Sequence, residues 1–264
     1  MHIDGNKHLH LDFFLRSSII KKMSKKSIYD RLNPIKPGVL ALFDPDRMSI
    51  DRVGETTKFV CDQGVAGFLI GSSLLVSPHF DAFIAEVKKN TDKPVILFPG
   101  GSHQVSANAD AIFFLSLLSG RNAEFLVGEQ VKAVFLIKEY GLDVIPVGYI
   151  LIESGNYTAV EYISNTRPIP RLKPEIAMAH ALTAQYFGMK YIYLEAGSGA
   201  QYPVSEDMVK RVKQTISIPL IVGGGIQSPE VARGLINAGA DYIVLGSIIE
   251  RSREQFEVIM KELG

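Results

Sequence analysis

Tyr193-Leu194-Glu195-Ala196-Gly197-Ser198-Gly199 ends a short apolar run and breaks at once into glycine, and the same pattern returns at Gly223-Gly224-Gly225-Ile226 and at Gly246-Ser247. Each break follows an aliphatic or aromatic run: Tyr191 to Leu194, Pro219 to Val222 and Asp241 to Leu245. Runs of this length, bounded by glycine, read as strands of a parallel sheet covered on both faces. Amphipathic stretches lie between them, so the order is strand, helix, strand, helix. In a closed barrel of that kind, the loops after the last two strands and a short helix N-terminus bind phosphate through backbone N–H groups. A lone glycine cluster serves an ordinary turn equally well; the order and strand-end placement of these clusters point to phosphate. Glu195 adds a carboxylate at the C-terminal end of an otherwise apolar strand.

Working outward, further strands read near Val39 to Phe43, Gly67 to Ile70, Pro94 to Phe98, Ala111 to Phe114 and Asp143 to Ile150. Helical periodicity occupies Ile50 to Asp62, Phe80 to Lys89, Glu124 to Tyr140, Glu175 to Phe187, Ser205 to Thr215, Pro229 to Ala238 and Ile248 to Leu263. Between Phe98 and Ala111, Pro99-Gly100-Gly101-Ser102-His103-Gln104 leaves too few residues for a covering helix. The expected fold is therefore α/β, a modified (β/α)8 TIM barrel lacking one covering helix after the third strand. A length of 264 residues suits one such barrel, expected over residues 33–264. Residues 1–32 read as a tail, Met1 to about Leu11, followed by a basic helical segment. Glu153 to Pro174 has no sustained period, and a loop this long at the C-terminal face would lie over the active site. Gly67 to Ser72 and Asp241 to Ser247 look alike, but a strand ending in a small-residue turn recurs in any parallel barrel.

Lys+Arg and Asp+Glu both number 28, so no basic excess advertises nucleic acid. The longest apolar stretches, such as Ala109 to Leu118, are interrupted by Asp110 and Ser116 and fall short of the ~20 residues that cross a bilayer. Asp12 splits the only candidate export segment, so a cytoplasmic protein is expected. The single cysteine, Cys61, reads as helix packing, and His8 and His10 as solvated residues of the tail. Asp44, in Phe43-Asp44-Pro45-Asp46, and Ser73 stand at the C-terminal ends of adjacent strands, where their oxygens can converge on a hard cation. One carboxylate and one hydroxyl suit Mg2+, which keeps waters and takes further ligands from substrate phosphate. That implies a second phosphorylated substrate, away from the glycines.

Leu42-Phe43-Asp44-Pro45-Asp46-Arg47, Leu69-Ile70-Gly71-Ser72-Ser73, Phe98-Pro99-Gly100, the run from Ala109 to Asn122, Tyr193 to Ala200 and Gly223 to Ile226 closely resemble the geranylgeranylglyceryl phosphate synthases, a family that includes the bacterial heptaprenylglyceryl phosphate synthases. The resemblance covers about Val39 to Gly264, with the motifs in family order, and the Tyr-Leu-Glu-Ala-Gly-Ser-Gly run is nearer the geranylgeranyl branch. It implies a barrel without one covering helix, in agreement with the gap after Phe98. It also implies a homo-oligomer and a reaction in which sn-glycerol 1-phosphate displaces diphosphate from geranylgeranyl diphosphate to form an ether. By resemblance, Asp44 and Ser73 hold Mg2+, Tyr193, Leu194, Glu195, Ala196, Gly197, Ser198 and Gly199 bind glycerol phosphate, and Gly224, Gly225, Gly246 and Ser247 complete its phosphate pocket. Arg47 departs from the family's frequent lysine, Gly71-Ser72-Ser73 from Gly-Gly-Ser or Gly-Gly-Thr, and Phe125 from tryptophan.

Such chemistry needs no covalent nucleophile. The metal would neutralise the departing diphosphate, and Glu195 would accept the proton of the attacking hydroxyl. Tyr193 reads as ligand or core, and Arg121-Asn122 as diphosphate contacts or a helix-initiating turn. Competing readings are a phosphosugar isomerase or aldolase, which needs an inner strand-end lysine that none of these strands supplies, a flavin-binding barrel, and a non-catalytic lipid- or phosphate-binding protein.

Overall fold

The structure, a computed structural model, describes residues 26–264. Eight parallel strands close into a barrel: β1 (Gly38–Phe43), β2 (Gly67–Ile70), β3 (Val95–Leu97), β4 (Ala111–Leu117), β5 (Asp143–Leu151), β6 (Tyr191–Glu195), β7 (Leu220–Gly223) and β8 (Tyr242–Leu245), with β8 pairing back onto β1. Helix α1 (Ile28–Leu32) precedes β1, and α2 (Ile50–Asp62), α3 (Phe80–Lys89), α4 (Glu129–Tyr140), α5 (Ala159–Ser164), α6 (Pro174–Tyr186), α7 (Glu206–Thr215), α8 (Pro229–Asn237), α9 (Ser247–Arg251) and α10 (Arg253–Leu263) follow. No helix lies between β3 and β4, so the expected gap in the outer ring is present. The tail, His8, His10 and all but the last part of the N-terminal basic helix fall outside the described residues.

Strand alternation sorts the core into two layers. Leu40, Leu69, Phe113, Val147, Tyr191 and Tyr193 fill the barrel, while Ala41, Phe68, Val95, Ile192, Leu194 and Ile243 face the helices. Each fully buried aliphatic side chain contributes about 1.5–3 kcal/mol. The helices bury matching stripes and start on hydroxyl caps: Ser49 accepts from Asp51 N–H, Ser205 from Met208 N–H and Ser228 from Val231 N–H.

The N-terminal end of the barrel is sealed. Buried Ile28 and Leu32 of α1 plug it, and the Tyr242 hydroxyl donates to Leu32 O at 2.6 Å. Acids at the strand starts tie neighbouring elements together. Asp110 accepts from Val95 N–H and pairs with Lys88, Asp241 accepts from Leu220 N–H and pairs with Lys213, and Asp143 accepts from Ile28 N–H.

Three elements differ from the sequence expectation. The stretch from Glu124 to Tyr140 opens with a wide π turn (Glu124–Gly128), where the Ser116 hydroxyl donates to Leu126 O. The expected helix Ile248 to Leu263 is broken at Ser252, which leaves helical geometry (φ −155°, ψ 108°) and caps α10 by accepting from Gln255 N–H. The long loop carries α5. Cys61 sits half-buried in α2 with Sγ 2.8 Å from Thr91 Oγ1, and burial pushes its thiol up, as packing rather than nucleophilicity requires.

Candidate active site

A cavity opens at the C-terminal end of the barrel, lined at one side by Asp44, Ser72 and Ser73 and at the other by Glu195, Gly197, Ser198, Gly199, Gly224 and Gly225. Gly246 and Ser247, at the start of α9, line it too. Phe98, Tyr149 and Tyr193 form its floor: Phe98 stacks on Tyr193 with centroids 5.2 Å apart and an interplanar angle of 15°, and Tyr149 meets Tyr193 edge-on.

Glu195 is the last residue of β6 and is buried at 5% exposure. Its Oε1 accepts from Gly197 N–H at 2.6 Å. Burial holds its carboxyl above the usual range, opposed by the Gly197 N–H and by the Tyr193 and Tyr149 hydroxyls beside it. No basic side chain contributes to that environment among the described residues, so Glu195 is not half of an ion pair. The Tyr193 hydroxyl is buried close to Glu195 yet has no well-aligned hydrogen-bond partner. A carboxylate so placed is suited to accept a proton.

The glycine wall interlocks around it. Gly224 has φ +85°, and a Cβ there would fall 2.5 Å from Gly197 N and 2.6 Å from Glu195 Oε1. Only glycine permits both the left-handed backbone and the approach. Leu194 and Ala196 do not reach the cavity; alternation along β6 turns them to the helix layer with Ile192.

Opposite, Asp44 directly follows β1. Its Oδ1 accepts from Asp46 N–H at 3.0 Å, its Oδ2 lies 3.5 Å from Arg47 Nε, and the Ser72 hydroxyl donates to Oδ2 at 3.4 Å. Burial raises the Asp44 carboxyl despite those contacts. Asp46 has a structural task, accepting from Val76 and Ser77 N–H. Ser73 lines the cavity, but the hydroxyl brought within reach of Asp44 is that of its neighbour, Ser72.

Sequence reasoning missed three residues. Glu250, on α9, lines the cavity, is raised by burial and shares Arg47 with Asp44, its Oε2 lying 3.9 Å from Nη1. Tyr149 sits in register with Tyr193. Gln104 grips Ser72 from behind. Only a polar residue in the helix-less segment could have marked Gln104; the other two carried no local signal. Arg121 folds back onto Gly120 O at 2.7 Å, and Asn122 donates to Ser164 O and accepts from Glu124 N–H at the start of the π turn; neither lines the cavity.

From the floor an apolar arm runs past Phe114, Leu115, Phe125, Ala133, Val160 and Ile163, beneath the long loop and beside the missing helix. The loop thus lies over the cavity, as expected.

The profile of the PcrB family matches residues 33–263. The chain is similar to the geranylgeranylglyceryl phosphate synthase of Pyrococcus horikoshii, 44% identical over 230 residues that span 87% of this chain and 89% of that protein. It is also similar to the synthase of that name from Spirosoma linguale, 42% identical over 226 residues, covering 84% of this chain and 91% of the relative. Among solved structures, the (S)-3-O-geranylgeranylglyceryl phosphate synthase of Thermoplasma acidophilum in complex with sn-glycerol-1-phosphate superposes with a TM-score of 0.86 at 36% identity, covering 90% of this chain and 98% of that one.

Proposed function

The chain belongs to the PcrB family, and from that premise we propose that it is a prenyltransferase joining sn-glycerol 1-phosphate to geranylgeranyl diphosphate through an ether, with release of diphosphate. The observation that carries this reading is one cavity with two unlike polar ends and an apolar arm. The glycine wall, with Ser198, Gly199, Gly224, Gly225, Gly246 and Ser247, is where backbone N–H groups would meet the glycerol phosphate, while Gly197, whose own N–H is taken by Glu195, shapes the wall. The apolar arm takes the prenyl chain. Leu194 and Ala196 act from behind, by packing.

Asp44, with the hydroxyls of Ser72 and Ser73, is a hard-oxygen donor set that fits Mg2+. Among the described residues no cluster of three or more carboxylate, imidazole or thiolate ligands occurs, so a cation held at Asp44 would take most of its ligands from diphosphate and water. When bound, it supplies charge neutralisation to the leaving group. Arg47, between Asp44 and Glu250, is placed to add positive charge at the same end.

Glu195 accepts the hydrogen bond of the glycerol hydroxyl, aims it at the allylic carbon and takes its proton as the ether bond forms. The Gly197 N–H holds the carboxylate, and the buried rings of Tyr193 and Tyr149 keep its surroundings dry. A homo-oligomer belongs to the same proposal, supported by the apolar face of α4, where Val131, Val134 and Phe135, the last 81% exposed, are left open by the described residues. So does a cytoplasmic setting, supported by the free thiol of Cys61. No helix of the described residues is long and apolar enough to cross a membrane.

The deciding experiment incubates the protein with Mg2+, labelled glycerol 1-phosphate and prenyl diphosphates of graded length. Ether product with the sn-1 enantiomer, strongest with the geranylgeranyl donor and abolished by chelator, is expected. Equal rates with the 3-phosphate enantiomer, or full activity in excess chelator, would overturn the reading.

A further inference from the structure

Gln104 stands in the segment where the outer ring lacks a helix, and its side chain is fully buried without lining the cavity. Its Oε1 accepts from Ser72 N–H at 3.1 Å and its Nε2 donates to Ser72 O at 2.8 Å, across 32 residues of sequence. The ladder between β2 and β3 ends just below, with Phe98 N–H on Ile70 O at 2.8 Å. The amide therefore supplies one further rung, in place of the peptide that a longer β3 would have offered.

The surrounding backbone is shaped for this contact. A Cβ on Gly71 would fall 1.9 Å from Phe98 O, and one on Gly100 would fall 2.3 Å from Ser72 O and 2.9 Å from Ser73 O. Both loops are thus pressed together around Gln104. The backbone it grips carries the Ser72 hydroxyl, 3.4 Å from Asp44 Oδ2, and leads directly to Ser73.

We propose that Gln104 is a positioning residue for the cation and diphosphate end of the site, acting through the backbone of Ser72 to hold the Ser72 hydroxyl beside Asp44 and to keep Ser73 at the cavity wall. The inference rests on the proposed role of Asp44 and Ser73 as cation ligands.

The test compares the parent with Gln104→Met, which keeps length and volume but removes both hydrogen bonds, Gln104→Glu, which keeps an acceptor for Ser72 N–H, Ser73→Ala and the Gln104→Met/Ser73→Ala pair. Mn2+ binding in the presence of inorganic diphosphate is followed by electron paramagnetic resonance, beside KM for each substrate and a melting curve. Gln104→Met should weaken Mn2+ and raise the KM for prenyl diphosphate by about 10- to 100-fold, as loss of a ligand's supporting contact does, with glycerol 1-phosphate affinity changed less than about twofold. Gln104→Glu should fall between parent and Gln104→Met. The double variant should be little worse than the poorer single one, because both losses act on the same ligand.

Additive losses, an equal fall in glycerol phosphate affinity, or a lowered melting temperature with Mn2+ affinity intact would overturn the inference. If Gln104→Met does not fold, Gln104→Glu decides by the same measurements. Asp44→Asn separates the two readings. If that variant binds Mn2+ and diphosphate like the parent, the cation reading itself fails; if it loses them while Gln104→Met keeps them, only the role of Gln104 is refuted.

Discussion

Asp110, Asp143 and Asp241, at the strand starts, each accept a backbone N–H from another element, and Asp110 and Asp241 also hold lysines. Asp44, Glu195 and Glu250, at the strand ends or just beyond, border a cavity, and burial raises all three carboxyls. All six are carboxylic acids. What differs is what the carboxyls face: at the sealed end they tie one element of the fold to another, and at the open end they line a cavity that a substrate or cation can enter. An acid in this barrel therefore has its work assigned by the end of the strand on which it falls.

Exchanging acids at the two ends should separate rate from stability. The largest effect is expected at Glu195→Gln, which keeps shape but removes the proton acceptor: single-turnover rate should fall by roughly 10²- to 10⁴-fold while the melting temperature does not fall. A near-fully active Glu195→Gln protein would remove this residue from the chemistry. Asp44→Asn should raise the KM for prenyl diphosphate by about tenfold or more, since a contact to a charged group contributes about 1.5–3 kcal/mol, and calorimetry should find glycerol phosphate binding unaltered. Loss of glycerol phosphate affinity instead would mean that the polar ends are not independent.

At the sealed end the signature inverts. Asp241→Ala strands the Leu220 N–H and frees Lys213, and should cost about 1–3 kcal/mol, seen as a melting shift of a few degrees with turnover per folded molecule unchanged. A fall in turnover without a melting shift would erase the distinction. The smallest effect is a slope. Between the ordinary Glu range and its raised folded value, folded Glu195 keeps a proton that the unfolded chain releases, so its contribution to stability is present at low pH and lost as pH rises through that window. Glu195→Gln should flatten that slope in a series of melting curves, whereas Asp241→Ala should leave it in place.

How much of this could be read beforehand depended on how local the cause was. The strands were legible because burial on both faces makes them continuous apolar runs, and α2 and α3 because their periodicity stops at clear boundaries. The absent helix was legible as too few residues. The break at Ser252 was not, because apolar residues continue on both sides and a cap declares itself only once the chain has turned. Asp44 and Glu195 were visible beside a proline turn and a glycine run. Gln104, Tyr149 and Glu250 were not, since what gives each its surroundings is an element distant in sequence. Leu194 and Ala196, which the resemblance includes with the rest of the motif, show the reverse case: the pleat turns their side chains to the helix layer, away from the cavity.

The alternation along β6 bears on how this motif could drift over generations. Positions 192, 194 and 196 answer to the helix layer, so their permitted vocabulary is set by volume, and exchanges such as leucine for methionine should pass wherever the packing is refilled. Positions 193 and 195 answer to the cavity and its ligands. A saturation library scored once for yield and once for turnover should therefore trace two interleaved combs over five consecutive codons, each nearly silent where the other speaks.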